Sequence, residues 1–389
     1  MKIFLDSYGC TLNQADASII RGILRKHKFV SLNEADAVIV NSCGVKLTTE
    51  DKILSAIERY KSLGKLVIVA GCLPRINPKR MAALNIVLVD SNSLERLPDA
   101  LKAKRGTFFS SEKHANKIQL AHEQDDSPTA VVEISEGCLG ACAFCGTKNA
   151  RGHLTSYSKR DVVNYARSLI RSGKKEILIT SQDTGAYGVD IGSSLPELIN
   201  GVTSIPGDFL VRVGMTNPNF VLTDLKEFKK MYENEKVYKF AHIPIQSGSD
   251  RILRLMNRVG TARDFEKIVK ELRKIPDITI ATDIIVGFSG ETDADFAKTV
   301  ALIKKTKPEI VNVSRFTPRP GTRASFMKQM PSETSKRRSL ALSRVCRKIT
   351  TSSLKKYVGV KMRVLVTGKA KDGKTLARAP NYRQVILDR

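Results

Sequence analysis

From residue 2 to about 90, short β-branched runs alternate with stretches of helical periodicity. KIFLDSY leads to a helix predicted from about Asn13 to His27, and AVIVNS leads to one from about Thr49 to Leu63. KLVIVAG follows, and IVLVD at 86–90 reads as a fourth strand. Parallel neighbours need long crossovers, so this alternation predicts an α/β class with an open parallel-sheet domain over 1–105. The stretch 106–128 is polar and weakly periodic, with at most one short strand at KIQLA, and reads as a linker.

A second series begins at Val131. Its strands are VVEIS, EILITS, FLVRVG, KFAHIPIQ, ITIATDIIVGF and IVNVSRF, separated by helices such as Asp161–Arg171 and Thr292–Lys305. Six strands are too few for a complete eight-stranded barrel, so a partial, open (β/α)6 barrel is expected over 129–333. Residues 334–356 read as a basic helix, with Leu340, Leu342, Val345 and Ile349 on the packing face. The remainder, 357–389, turns to β periodicity: KMRVLVTG, a turn at Asp372-Gly373, TLARAP and RQVILD. Three strands do not readily close a small barrel. Either they pack on the barrel domain or they belong to a larger module.

Composition adds a partner. The 389 residues contain 65 Lys+Arg against 39 Asp+Glu, a formal charge of +26, with 42% hydrophobic content. This excludes wholesale disorder and a single small module, and the surplus of cations points to a polyanion, nucleic acid first. No apolar run reaches the ~18 residues of a membrane span, and Met1 to Tyr8 reads as a strand rather than a signal segment. A cytoplasmic protein with no membrane partner is expected.

Seven cysteines in such a chain suit metal or redox chemistry in a reducing compartment better than a disulfide framework. Cys138, Cys142 and Cys145 form a C-x3-C-x2-C run directly after VVEIS. Soft thiolates select iron-sulfur clusters, and three ligands on a cubane leave one iron open. A structural zinc site would want a fourth Cys or His nearby, and none follows at zinc-finger spacing. Cys10, Cys43 and Cys72 are far apart in sequence, yet each falls just beyond a predicted strand, in SYGC, VNSC and VAGC. Parallel strands share a carboxyl edge, so these sulfurs can converge there, although buried cysteines are also common in cores. Cys346, on the basic helix, reads as structural.

The two triads together resemble the methylthiotransferases of the radical S-adenosylmethionine superfamily. The resemblance is carried by SYGCTLNQADA, VNSCGVKLTTE, VAGCLPR, EGCLGACAFCGTKNARG, TSQDTGAYGVDIG, HIPIQSGSD, TDIIVGFSGET and SRFTPRPGT, and it covers nearly the whole chain. GCTLN and TSQDTGAYG look most like the archaeal and eukaryotic branch, which modifies N6-threonylcarbamoyladenosine beside the transfer RNA anticodon. The resemblance implies an amino-terminal methylthiotransferase domain, a radical barrel and a carboxy-terminal RNA-binding TRAM domain, of which 357–389 resembles only the first part.

It further implies two 4Fe-4S clusters, one on Cys138, Cys142 and Cys145 with S-adenosylmethionine at its open iron, the other, auxiliary, on Cys10, Cys43 and Cys72. A 5'-deoxyadenosyl radical would take hydrogen from carbon 2 of the adenine, and the auxiliary cluster would deliver methylthio. By barrel geometry Gln182, Asp183, Gln246, Ser247, Gly287 and Glu291 should surround the cofactor. Arg151, in NARG, can pair with cofactor or phosphate, or simply be solvated. The five histidines share no spacing and receive no role. Lys361, Arg363, Lys369, Lys371, Lys374, Arg378 and Arg383 would engage phosphates of an anticodon loop, with Tyr382 or Phe316 stacking on bases. Two rival functions remain: a methylthiotransferase acting on a ribosomal-protein aspartate, and a noncatalytic iron-sulfur RNA-binding protein. A monomer is expected, with an electron donor the sequence does not name.

Overall fold

The computed structural model describes residues 1–110, 116–370 and 372–388. The amino-terminal domain is a six-stranded sheet built of β1 (Lys2–Ser7), β2 (Lys28–Phe29), β3 (Ala37–Ser42), β4 (Leu66–Gly71), β5 (Val87–Val89) and β6 (Gly106–Phe108). The order is β2-β1-β3-β4-β5-β6, with every pairing parallel. All six residues of β3 are buried, as a central strand covered on both faces requires. The helix Thr11–Ile23 lays Ile19 and Ile20 on one face, against Ile3, Ile39 and Ile68. On the other face Leu47–Ser62 lays Ile53, Ile57 and Tyr60 against Val38, Val40 and Val67. The first helix stops four residues short of His27, because Lys28–Phe29 must already pair with β1.

The stretch expected to be a linker is only partly one. Gly106–Phe108 supplies the sixth strand of the sheet, and KIQLA forms a 3-10 turn, Lys117–Gln119, rather than a strand. The apolar residues there are too few to set a strand period, and the turn is fixed by a buried Lys117.

In the barrel, β7 (Thr129–Glu133) runs into a short antiparallel pair, β8 (Ser135–Glu136) with β9 (Thr155–Ser156). The other barrel strands are β10 (Glu176–Thr180), β11 (Leu210–Val213), β12 (Phe240–His242), β13 (Thr279–Val286) and β14 (Ile310–Arg315). They form two parallel ladders, β7-β10-β11 and β12-β13-β14, connected by a Val211–Val237 bridge. Among the described residues β7 and β14 do not pair, so the barrel is open as six strands predict. Two of its outer helices, Ala262–Leu272 and Asp293–Thr306, begin with capping boxes, Thr261 with Asp264 and Thr292 with Asp295.

The 24-residue helix Ser332–Lys355 packs on the barrel through Leu342 and Cys346, which makes Cys346 a core residue. Three antiparallel strands follow: β15 (Leu365–Lys369), β16 (Thr375–Arg378) and β17 (Gln384–Leu387). They dock on the amino ends of the barrel strands. Pro380 accepts a backbone hydrogen bond from Lys239 (2.9 Å), Arg378 meets Glu176 (3.3 Å), and the Tyr382 ring lies 5.0 and 4.9 Å from those of Tyr238 and Phe240. Among the described residues no helix is long and apolar enough to cross a membrane.

Candidate active site

The loop carrying Cys138, Cys142 and Cys145 leaves β8 at Gly137, whose φ is +77° and where a Cβ would run into the His153 carbonyl; only glycine passes there. The loop is then pinned from outside. Ala143 donates to Met256 O (2.8 Å), Ala324 donates to Ala143 O (2.8 Å), and the Asn257 amide donates to Ala141 O (2.8 Å). Gly140 N donates to Cys138 Sγ (3.2 Å), and a Cβ at Gly140 would stand 3.3 Å from Cys138 Sγ and 3.8 Å from Cys142 Sγ. Arg258 reaches Cys142 Sγ at 3.5 Å while anchored on Pro244 O at 2.7 Å. Burial, with the Asp183 carboxylate nearby, pushes the Cys138 thiol up to about 11, and burial raises Cys142 against the pull of Arg258. Such thiols favour the protonated form unless a cation holds them as thiolates, which is what an iron-sulfur cluster does.

The second triad stands on the edge its strands predict. Cys10 caps Thr11–Ile23 after β1, Cys43 follows β3, and Cys72 follows β4, three neighbouring strands. Asn13 and Asn41 tie these ends together: Asn13 Nδ2 donates to Asn41 Oδ1 (3.3 Å) and Ser42 O (3.0 Å), and Asn41 Nδ2 donates to Asn13 O (2.6 Å). Cys72 N donates to Ser42 O (3.1 Å), and Gly9, at φ +108°, leaves room for the Cys43 side chain. Burial raises both Cys43 and Cys72, the latter to about 12, and the Cys10 and Cys43 thiolates would add to the rise of their neighbours.

Among the described residues no three His, Cys, Asp or Glu side chains converge on a single-ion site. A cubane, by contrast, takes each thiolate on a different iron. The donor chemistry of both triads fits such a group. Around the loop, Ser135 Oγ, Gln182 Oε1 and Ser289 Oγ are buried without a partner among the described residues, as groups awaiting a polar ligand would be.

A buried ionic seam joins the two halves. Arg151, fully buried, donates through Nε to Cys72 Sγ (3.0 Å), through Nη2 to Asp16 (2.5 Å) and through Nη1 to Glu136 (3.1 Å). Lys117 donates to the same two carboxylates, at 2.9 and 2.5 Å. Glu133 lies beside them, and burial holds its carboxyl well above the usual range against the pull of Lys117. A second tie runs from Arg319 to Glu50, which also accepts from Asn77 (2.8 Å). Gly146, next to Cys145, abuts Ile76, four residues beyond Cys72: a Cβ there would lie 3.3 Å from Ile76 Cγ2. The two triads therefore flank one seam.

The residues expected around the cofactor do stand at the strand ends, but several are occupied by protein. Asp183 accepts from Asn217 N (3.0 Å), Asn217 Nδ2 (2.5 Å) and Gly185 N (3.2 Å), so it shapes a turn. Ser247 Oγ meets Thr299 Oγ1 and accepts from Ser249 N. Gly287 faces Ser335, and Glu291 accepts from Gly287 N (2.8 Å) and from Arg338 (2.7 Å), tying the loop to the long helix. Gln246, at φ +73°, bridges to Ile284 through its backbone, and Gln182 Nε2 leans on Glu136 (3.4 Å).

The tail differs more from expectation. Arg378 pairs with buried Glu176, while Arg383 donates to Ser353 Oγ (3.2 Å) and lies over the Tyr357 ring. Arg363 pairs with Asp208 (2.8 Å) and Lys374 with Asp388 (2.9 Å), both at the surface. Lys361 and Lys369 are exposed, and Lys371 lies outside the described residues. Tyr382 closes the far end of the barrel instead of stacking on a base, because its ring is sandwiched by Tyr238, Phe240 and Arg378. Phe316 does stand near the cysteine loop, with its ring 4.9 Å from that of Phe288. Sequence reasoning missed Asp16, Lys117, Glu136, Glu50, Arg258 and Arg319. It also missed the His242–Asp283 pair (3.0 Å), whose carboxylate Asn312 shares (2.8 Å).

Residues 132–303 match the Radical SAM superfamily, and residues 2–90 match a family described as Uncharacterized protein family UPF0004. The "Probable threonylcarbamoyladenosine tRNA methylthiotransferase" of Archaeoglobus fulgidus is 43% identical over 396 residues, covering 100% of this chain and 93% of its own. The chain belongs to this methylthiotransferase family. The human "Threonylcarbamoyladenosine tRNA methylthiotransferase" is 36% identical, over 99% of this chain and 69% of its own. In fold, the chain resembles the radical S-adenosylmethionine methyltransferase TsrM of Kitasatospora setae, solved with cobalamin and a 4Fe-4S cluster bound. That likeness has a TM-score of 0.63 at 12% identity and covers 83% of this chain and 76% of TsrM. As a radical S-adenosylmethionine enzyme, this methylthiotransferase family uses a 4Fe-4S cluster and S-adenosylmethionine.

Proposed function

We propose that this chain converts N6-threonylcarbamoyladenosine beside the transfer RNA anticodon to its 2-methylthio derivative, using two 4Fe-4S clusters. The observation that carries this reading is the pairing of two cysteine triads across one seam, in a chain whose full length matches enzymes named for that reaction. When bound, the clusters and S-adenosylmethionine supply a carbon radical at the base and the methylthio group that joins it.

The chain's own residues hold and aim these groups. Cys138, Cys142 and Cys145 would hold the first cluster, with the Gly140 amide donating to Cys138 and the Arg258 guanidinium placing positive charge beside Cys142. Cys10, Cys43 and Cys72 grip the second, and Arg151 places its guanidinium against Cys72. Because Arg151 also binds Asp16 and Glu136, the guanidinium that steadies the auxiliary triad fixes its domain to the barrel. Gln182 and Ser289, each with an oxygen unpartnered among the described residues, offer contacts to cofactor at the strand ends. An anticodon loop qualifies as substrate because its bases splay outward and reach a buried site.

The test is anaerobic reconstitution with S-adenosylmethionine, a reductant and modified transfer RNA. Cys142→Ala should abolish formation of 5'-deoxyadenosine. Cys43→Ala should lower iron from about eight to about four per chain and stop methylthiolation while cofactor cleavage stays measurable. Unchanged iron in Cys43→Ala refutes the second cluster. Methylthio-aspartate on a ribosomal protein, with transfer RNA unmodified, would replace the substrate.

A further inference from the structure

The helix Ser332–Lys355 runs the height of the barrel. Near its start Ser335 abuts Gly287 at the carboxyl end of β13, and near its end Thr350 Oγ1 donates to Glu309 O (2.8 Å), just ahead of β14. From Ser335 to Thr350 that is ~22 Å at 1.5 Å per residue. Arg337, Arg344, Lys348 and Lys355 are exposed and spaced by seven, four and seven residues. At 3.6 residues per turn they fall within about 20° of a single line. The helix thus carries a straight basic track from the cysteine end of the barrel to its opposite end.

At that opposite end the track enters a groove of about 1200 Å³ between this helix and the helix Ala262–Leu272. Arg263, Lys267 and Lys270, exposed at i, i+4 and i+7, line its other wall, and exposed Lys307 lines it too. The acids of the groove are already engaged: Glu266 by Lys305 (2.7 Å), Glu309 by Arg273 (2.6 Å), and Asp264 by the Thr261 cap. Among the described residues Arg263, Lys267, Lys270, Lys307 and Lys348 carry no ion pair. Long flexible cations spread along an open groove suit a phosphate backbone rather than a compact ligand.

We propose that this track and groove hold the duplex stem of the transfer RNA whose loop enters the active site, with the groove taking phosphates well beyond the loop. In the carboxy-terminal strands Arg378 pairs with Glu176 of the barrel and Arg383 donates to Ser353 of the long helix. The proposal rests on the transfer RNA reading above and names the surface that would serve it.

The experiment compares the reconstituted full chain with a Lys267→Ala/Lys270→Ala/Lys348→Ala variant against two ligands: whole transfer RNA, and a single-stranded oligonucleotide carrying only the anticodon-loop sequence. The variant should bind whole transfer RNA about tenfold or more weakly at low salt, and the slope of log K against log salt should fall in magnitude by about 2 to 3, one phosphate per lysine. Binding of the loop oligonucleotide and the thermal midpoint should match wild type. Equal affinity of variant and wild type for whole transfer RNA, or an equal loss for both ligands, overturns the groove. A wild-type chain that cleaves S-adenosylmethionine yet binds no transfer RNA overturns the substrate reading itself, and the groove with it.

Discussion

Arg151 serves three acceptors at the seam, and each contact is charge-assisted. Its guanidinium offers one N–H to Cys72 and others to Asp16 and Glu136, with no water competing at full burial. A lysine keeps the charge but lacks the fork that serves three acceptors in one plane. Replacing Arg151 with methionine leaves Asp16 and Glu136 facing Lys117 alone, one uncompensated negative charge in the interior. Removing one member of such a buried set costs about 3–5 kcal/mol. The expected outcome is a loss of that size in urea denaturation, partly recovered when Asp16→Asn is added so that the charges balance again. A loss under about 1 kcal/mol would mean that water reaches the seam and the set is solvated.

The same economy operates between elements. The long helix is fastened to the β13 loop by Arg338, which donates to the Glu291 carboxylate (2.7 Å), to the Glu291 carbonyl (3.0 Å) and to Asp293 (2.7 Å). Burial raises the Glu291 carboxyl while Arg338 and Gly287 N pull it down, so removing the arginine strands an acid in a dry place. Arg338→Met should therefore destabilise by about 3 kcal/mol. It should also speed amide exchange over the first three turns of Ser332–Lys355 more than over its last turns, where Thr350 holds Glu309 independently.

Glu291 and Arg338 illustrate what the sequence lets one read. Alternation of apolar runs places β1, β3, β4 and the barrel strands, and with them the strand-end positions of Cys10, Cys43, Cys72, Gln182 and Glu291. What each strand-end side chain binds is a tertiary matter: Glu291 meets an arginine 47 residues away, and no period encodes that. Asp16 left a faint mark, a charged residue within the buried stripe of Ala15, Ile19 and Ile20. Lys117 left none, because a lysine in a polar stretch looks solvated until two carboxylates from different domains close over it.

At the scale of the whole molecule, the arrangement of the two triads depends on how firmly the domains are joined, and one histidine makes that joint sensitive to pH. His122 sits between Ser18 of the amino-terminal domain (Nδ1 to Oγ, 3.2 Å), the Lys117 carbonyl (Nε2 to O, 3.0 Å) and the ring of Tyr165 on the barrel (4.6 Å). Burial lowers its pKa below the ordinary 6.5, against the opposing pull of the Lys117 and Ile118 carbonyls. The folded state thus prefers the neutral ring, and the stability it contributes is present above pH 6.5 and lost as the pH falls below that value, where the unfolded chain gains a proton first. Glu133 works in the opposite direction. Its raised pKa contributes stability that is fully present below the ordinary 4.5 and lost as the pH rises above it, so the wild-type curve alone mixes the two. The difference between wild type and His122→Gln isolates the histidine: the glutamine keeps a donor and an acceptor but cannot titrate. Melting midpoints measured from pH 7.5 to 5 should show the wild type losing ground steadily to the variant below about pH 6.5, while above it their separation stays constant. Parallel curves across the whole range would show that His122 is protonated at no cost, and that the joint tolerates an imidazolium between Ser18 and Tyr165.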